Sequence, residues 1–123
     1  MDYFLISLED WSIPAQRFIH LLQSSWPGVV IKPGPIPGGH RAFEFQLPMR
    51  KSTLDGSLNS EGSAIIFYAA PRDCADFALW YQATVPEARP LLLCDEGNNR
   101  RIELKPETTA EDIVRALSDE PEH

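Results

Sequence analysis

Two cysteines, three histidines and eighteen acidic residues are the side chains with which this chain of 123 residues could do chemistry. A thiolate zinc site needs ligands in close clusters, and Cys74 and Cys94 lie far apart with no CxxC spacing and no neighbouring His, so no metal is expected. Both read as buried thiols, because a free cysteine behaves as a small hydrophobe. Nucleophilic catalysis would need Cys74, Cys94 or a serine beside His20 or His40, but Cys74 falls on a core-facing helix stripe, Cys94 ends an apolar strand and His20 sits at the edge of a helix's apolar stripe, an ordinary structural place for a histidine. Carboxylate pairs suited to general acid and base work occur at Asp73 and Asp76 and at Asp95 and Glu96. The first pair fits a helix N-terminus, where the dipole favours acids, and the second precedes Gly97 in a turn. The run "PGPIPGGHR" offers glycine N–H groups, with His40 and Arg41, to an anion, but it lacks the GxxxxGK[ST] pattern and its prolines remove donors. No catalytic residue and no cofactor is expected, and the chain reads as a non-enzyme.

The elements that would position these groups follow from periodicity. "DYFLISL" is apolar over strand length and is expected at the centre of a sheet. The segment that follows changes to helical spacing, with Pro14 in a first turn and Phe18, Leu21, Leu22 and Ser25 at i, i+3, i+4 and i+7, and closes at "WPG". Four strand-like pieces come next, "VVIK", "AFEFQL", "TLDGSL" and "AIIFYA", with "NSEG" as a hairpin turn. In "AFEFQL" the alternation of Phe43, Phe45 and Leu47 with Glu44 and Gln46 predicts one dry and one wet face. A second helix spans about Pro71 to Thr84. "PLLLCD" is a buried strand, "EGNN" a turn and "RIELK" its hairpin partner. In "PETTAEDIVRAL", Thr108 stands three residues before Glu111, the spacing of a capping box. The order β-α-β-β-β-β-α-β-β-α predicts an α+β fold, a mostly antiparallel sheet of six to seven strands with three helices. One domain is expected over residues 1–118, with a frayed acidic tail at 119–123.

The second helix carries three aromatics in five residues. At about 100° per residue, Cys74, Phe77, Ala78 and Tyr81 form one apolar stripe. Trp80 falls outside it beside Asp73 and Asp76, and Leu79 falls nearly opposite. Trp80 packs at the helix edge against a loop such as "KPGPIPGG", or belongs to a protein-binding surface, where tryptophan is over-represented among dominant residues, or lines a small-ligand pocket.

The formal net charge of −7 argues against nucleic acid or an anionic membrane as partner. Residues 107–123 hold six acids against Arg115 alone, so the acidity is largely C-terminal. The small basic groups Arg50-Lys51 and Arg100-Arg101 are too few for nucleic-acid readout. No apolar run approaches the roughly 18 residues that cross a bilayer, and the opening carries acids where a signal peptide carries bases, so a cytoplasmic protein is expected.

The second half holds "FALWYQATVP" (Phe77 to Pro86), a strand ending "CDE" (Leu91 to Glu96) and "LKPETTAEDI" (Leu104 to Ile113), about 40 residues in all. In these it resembles small acidic immunity proteins of bacterial toxin systems. The resemblance implies a protein that binds and neutralises a cognate toxin. Trp80, Leu79, Asp76, Asp95, Glu96, Glu111 and Asp112 are then the expected partner-binding residues. The alternative is a small-molecule-binding or sensor domain that holds a ligand between the sheet and the loop 33–39, with His40 and Arg41 as polar contacts. A third possibility, a hydrolase using Asp95 or His40, requires those groups to meet in one cleft.

Overall fold

A computed structural model of the protein describes residues 2–34, 39–97 and 100–117. Strand periodicity organises it. In β3 (Arg41–Pro48) the odd residues Phe43, Phe45 and Leu47 are buried and Glu44 and Gln46 point the other way. The other strands are β1 (Tyr3–Ser7), β4 (Thr53–Asn59), β5 (Ala64–Tyr68), β6 (Leu91–Asp95) and β7 (Arg101–Leu104), of which β4 and β6 break the alternation with the adjacent buried residues Ser57 and Leu58, and Leu93, Cys94 and Asp95; β2 (Val30–Pro33) is a short outer strand. The strands form one sheet in the order β2-β3-β4-β5-β1-β6-β7, every neighbouring pair antiparallel. With the helices α1 (Ala15–Ser25), α2 (Pro71–Thr84) and α3 (Ala110–Leu117), and a turn of 3-10 helix at Pro86–Ala88, the fold is α+β in the expected element order. β1 is interior to the sheet, as its apolar run predicted.

The helices cover one face only. Phe18 of α1 packs against Phe43, Phe45 and Tyr81, and Phe77 of α2 against Phe45, Phe67 and Trp26, with ring centroids 5.0 to 6.3 Å apart. Aromatic pairs at such separations add to what area burial alone contributes. Gly56 of β4 stands opposite Phe45, and a Cβ there would come within 2.4 Å of its ring, so the glycine lets the phenylalanine lie flat over the strand.

Two anchors fix the helix ends. α2 begins with Pro71 after Ala70, which has no side chain to cap it; Ser52, from the β3–β4 turn, accepts the Ala70 N–H through Oγ at 3.0 Å. The Ser52 hydroxyl in turn donates to Asp73 at 2.7 Å, and the Lys51 N–H donates to the same carboxylate at 3.1 Å. Asp73 is therefore a fully buried, satisfied tie between turn and helix, beyond the dipole role its position suggested. α3 is capped one residue later than expected. Thr109 and Asp112 form the reciprocal pair, with Asp112 N–H on Thr109 Oγ1 at 3.1 Å and Thr109 N–H on Asp112 Oδ2 at 3.0 Å. Thr108 instead accepts the Lys105 N–H and closes the preceding turn. The expected tail at 119–123, the centre of the Pro/Gly run at 35–38 and Asn98-Asn99 lie outside the described residues.

Candidate partner-binding face

The aromatic helix gives the first correction. Cys74, Phe77, Ala78 and Tyr81 are buried as the stripe predicts, but Trp80 and Leu79 also pack against the core. Trp80 lies 4.8 Å from Trp26, near Phe18 and Phe77, and its indole N–H donates to Ser25 Oγ at 2.8 Å. Its neighbours here are Ser25 and Trp26 at the end of α1. α2 touches α1 on this flank through Trp80 and Tyr81 and packs along α3 as well, so it buries more than one stripe.

The acidic candidates scatter over the molecule. Arg72 bridges Asp76 at 3.5 Å and Glu111 at 3.4 Å, which joins these two at the α2–α3 seam and neutralises part of their charge. Asp112 is the α3 cap, and the Thr109 N–H holds its carboxyl below the usual aspartate range. Asp95 is 2% exposed at the end of β6 and accepts the Arg100 N–H. Glu96 is exposed and accepts the Asp2 N–H.

The groups considered for catalysis do not converge. β4, β5 and β1 separate β3, which His40 immediately precedes, from β6, which ends in Asp95, a gap of about 19 Å at 4.8 Å per strand. Cys74 lies in the helix-side core, where burial pushes its thiol up to about 12, and its Sγ donates to the Ala69 carbonyl. Cys94 points to the opposite sheet face, and burial raises its pKa too. His20 is exposed on α1. Among the described residues no three His, Cys, Asp or Glu gather as metal ligands, and no helix is long and apolar enough to cross a membrane.

What periodicity did not bring forward is the sheet face away from the helices. The register aligns one residue from each strand in a single row across it: Lys32, Glu44, Ser57, Ile66, Phe4, Cys94 and Arg101. Charge occupies both ends and apolar side chains the middle. Ile6 and Leu92 pair in the adjoining row and extend the apolar band, and Phe4, Ile6, Ile66 and Leu92 are all only half-buried. Of the large apolar side chains that are well exposed, Leu8 is in a loop, but Val30 at 46% and Tyr68 at 51% are on this face.

One end of the face is concave. A cavity of about 200 Å³ opens over β2–β5, walled by Val30, Ile66 and Tyr68 with Lys32, Arg41, Glu44, Asp55 and Asp2 around it. Arg41, one of the two polar residues expected near a ligand, lines it and pairs with Glu44 at 2.7 Å, whereas His40 is exposed and not part of the wall. The signal for this face was present in "YFLI", "AIIFY" and "LLLC". Strands apolar on both sides, in an antiparallel sheet with too few helices to cover both, imply an uncovered apolar surface. No family model, curated protein or solved structure matches the chain.

Proposed function

We propose that this is a cytoplasmic, non-enzymatic binding protein that docks a partner protein on the open face of its sheet, and that the partner is a bacterial toxin which it neutralises. The carrying observation is the band of Phe4, Ile6, Ile66 and Leu92, apolar, half-buried and without a covering layer among the described residues. Seven strands make a face about 30 Å across, a width suited to a standard interface of ~800 Å² per partner. Charged residues at its margins and an apolar middle follow the rim-and-core pattern of protein interfaces. The chain's charge of −7 favours encounter with a basic partner over nucleic acid or an anionic membrane. The toxin assignment rests on the resemblance of residues 77–113 to immunity proteins.

Co-expression with the product of the adjacent gene tests the reading. The wild-type chain should copurify with that product and restore growth, and Phe4→Lys or Leu92→Lys should abolish both without moving the melting temperature by more than a few degrees. Trp80→Ala should act in the opposite way, lowering stability by about 2–4 kcal/mol through the lost aromatic packing while the folded fraction still binds. Copurification indifferent to Phe4→Lys and Leu92→Lys, or none at all, would sink the proposal.

A further inference from the structure

The cavity at the β2–β5 end of the open face has a polarity of its own. Its charged lining carries more acid than base, with Asp2, Glu44 and Asp55 against Lys32 and Arg41; Arg41 is paired with Glu44, and Lys32 stands across the strands from the same glutamate. Tyr68 stands directly across from Asp55 in the β4–β5 register, and Asp2, one residue before the strand that pairs with β5 on its far side, completes the wall. Asp55 accepts only the Gln46 amide, at 2.9 Å, and the Asp2 carboxylate makes no ion pair among the described residues. On the floor, Ser57 is 5% exposed and lines the cavity, and its hydroxyl is not among the buried side-chain atoms left without a partner, so it is open to the cavity and able to accept from a donor placed there.

We infer that this cavity receives an arginine side chain of the docking partner, with the guanidinium stacked on the Tyr68 ring and donating to Asp55, Asp2 and the Ser57 hydroxyl. The inference rests on the open face being a protein-docking surface. A planar guanidinium can stack on an aromatic ring and bond carboxylates at its edge in one pose, which an ammonium cannot. Volume argues in the same direction: about 200 Å³ suits one long side chain and lies below the roughly 300–1,000 Å³ of typical small-molecule pockets.

The test is an NMR titration of the full chain with N-acetyl-arginine methylamide, with the corresponding blocked glutamate, lysine and norleucine as comparisons. Saturable shifts at Asp55, Ser57, Ile66 and Tyr68, largest for the arginine probe and reduced about tenfold in affinity by Asp55→Asn, are expected. An equal response to the glutamate or norleucine probe, or no response, overturns the inference. Tighter binding of lysine overturns the choice of guanidinium. Tighter binding of free, zwitterionic arginine than of the blocked form overturns it in favour of a small-molecule site. The partner separates this inference from the reading beneath it. If Phe4→Lys abolishes copurification and Asp55→Asn together with Tyr68→Ala leaves it intact, the docking face stands and the arginine receptor falls. If the probe binds as expected but neither set of substitutions affects copurification, the docking reading is what fails.

Discussion

Asp73 illustrates how one side chain can join two elements that sequence spacing treats separately. Its carboxylate receives the Lys51 N–H and the Ser52 hydroxyl, and Ser52 passes the connection to the N–H of Ala70 at the head of α2. Asp73→Ala leaves two donors in a dry site without an acceptor and should cost about 2–3 kcal/mol in urea unfolding. Because Ser52 and Asp73 form one chain of bonds, Ser52→Ala in the Asp73→Ala background should cost about 1 kcal/mol less than it does alone. Additive losses would show the two contacts to be independent. Neither substitution touches the open face, so partner binding by the folded protein should be unchanged. Trp80 belongs to the same class of residue: its indole N–H and ring are both engaged within the fold.

At the scale of elements, Gly62 sets the β4–β5 hairpin against the chain entering α1. Its φ is +74°, and a Cβ would fall 2.2 Å from the Ile13 carbonyl oxygen, while its own carbonyl accepts the Ile13 N–H at 2.9 Å. Gly62→Ala should lose about 1–3 kcal/mol, measured by thermal unfolding; a neutral result would mean that the hairpin can move away from α1 without loss. The "NSEG" turn was legible from residue type, as were all seven strands and three helices, because the local signals agreed: alternation in "AFEFQL", Pro71 at the start of α2, Pro86 after its end. The Thr109–Asp112 cap was missed by one position because Thr108 and Thr109 both have an acid three residues on. The site was less legible, for a different reason. A helical wheel assumes one buried side, whereas α2 touches both α1 and α3, and that arrangement is set by strands distant in sequence. Likewise Lys32, Ser57, Phe4 and Arg101 become a row only once the strand order is known.

For the molecule as a whole, the response to pH follows from where its titrating groups lie. Burial raises the folded-state pKa of Cys74 to about 12 from an ordinary value of 9.0, and raises Cys94, Tyr3 and Tyr81 as well. Each stays protonated in the folded state at pH values where the unfolded chain ionises. Stability should therefore be intact below about pH 9 and fall as pH rises from there toward about 12; Cys74→Ala should flatten this slope in melting curves, and an unchanged slope would remove Cys74 as its source. On the acid side Glu87 and Asp112 titrate below their ordinary range, Glu87 held by its own backbone N–H and then by Arg17, and Asp112 by the backbone N–H and hydroxyl of Thr109. Their contribution is present above the ordinary carboxylate range and disappears as pH falls through their lowered values, so Asp112→Asn should converge on the wild type in acid. The place of β1 matters in another way. Its two edges are filled by residues 64–67 and 91–95, so β1, the first of these seven strands in sequence, is separated from both of its partners by more than fifty residues. Late closure of distant pairings slows folding and exposes apolar segments meanwhile. Tyr3–Ser7, interior in the finished sheet, is thus the strand with the longest interval of chain between it and its first partner.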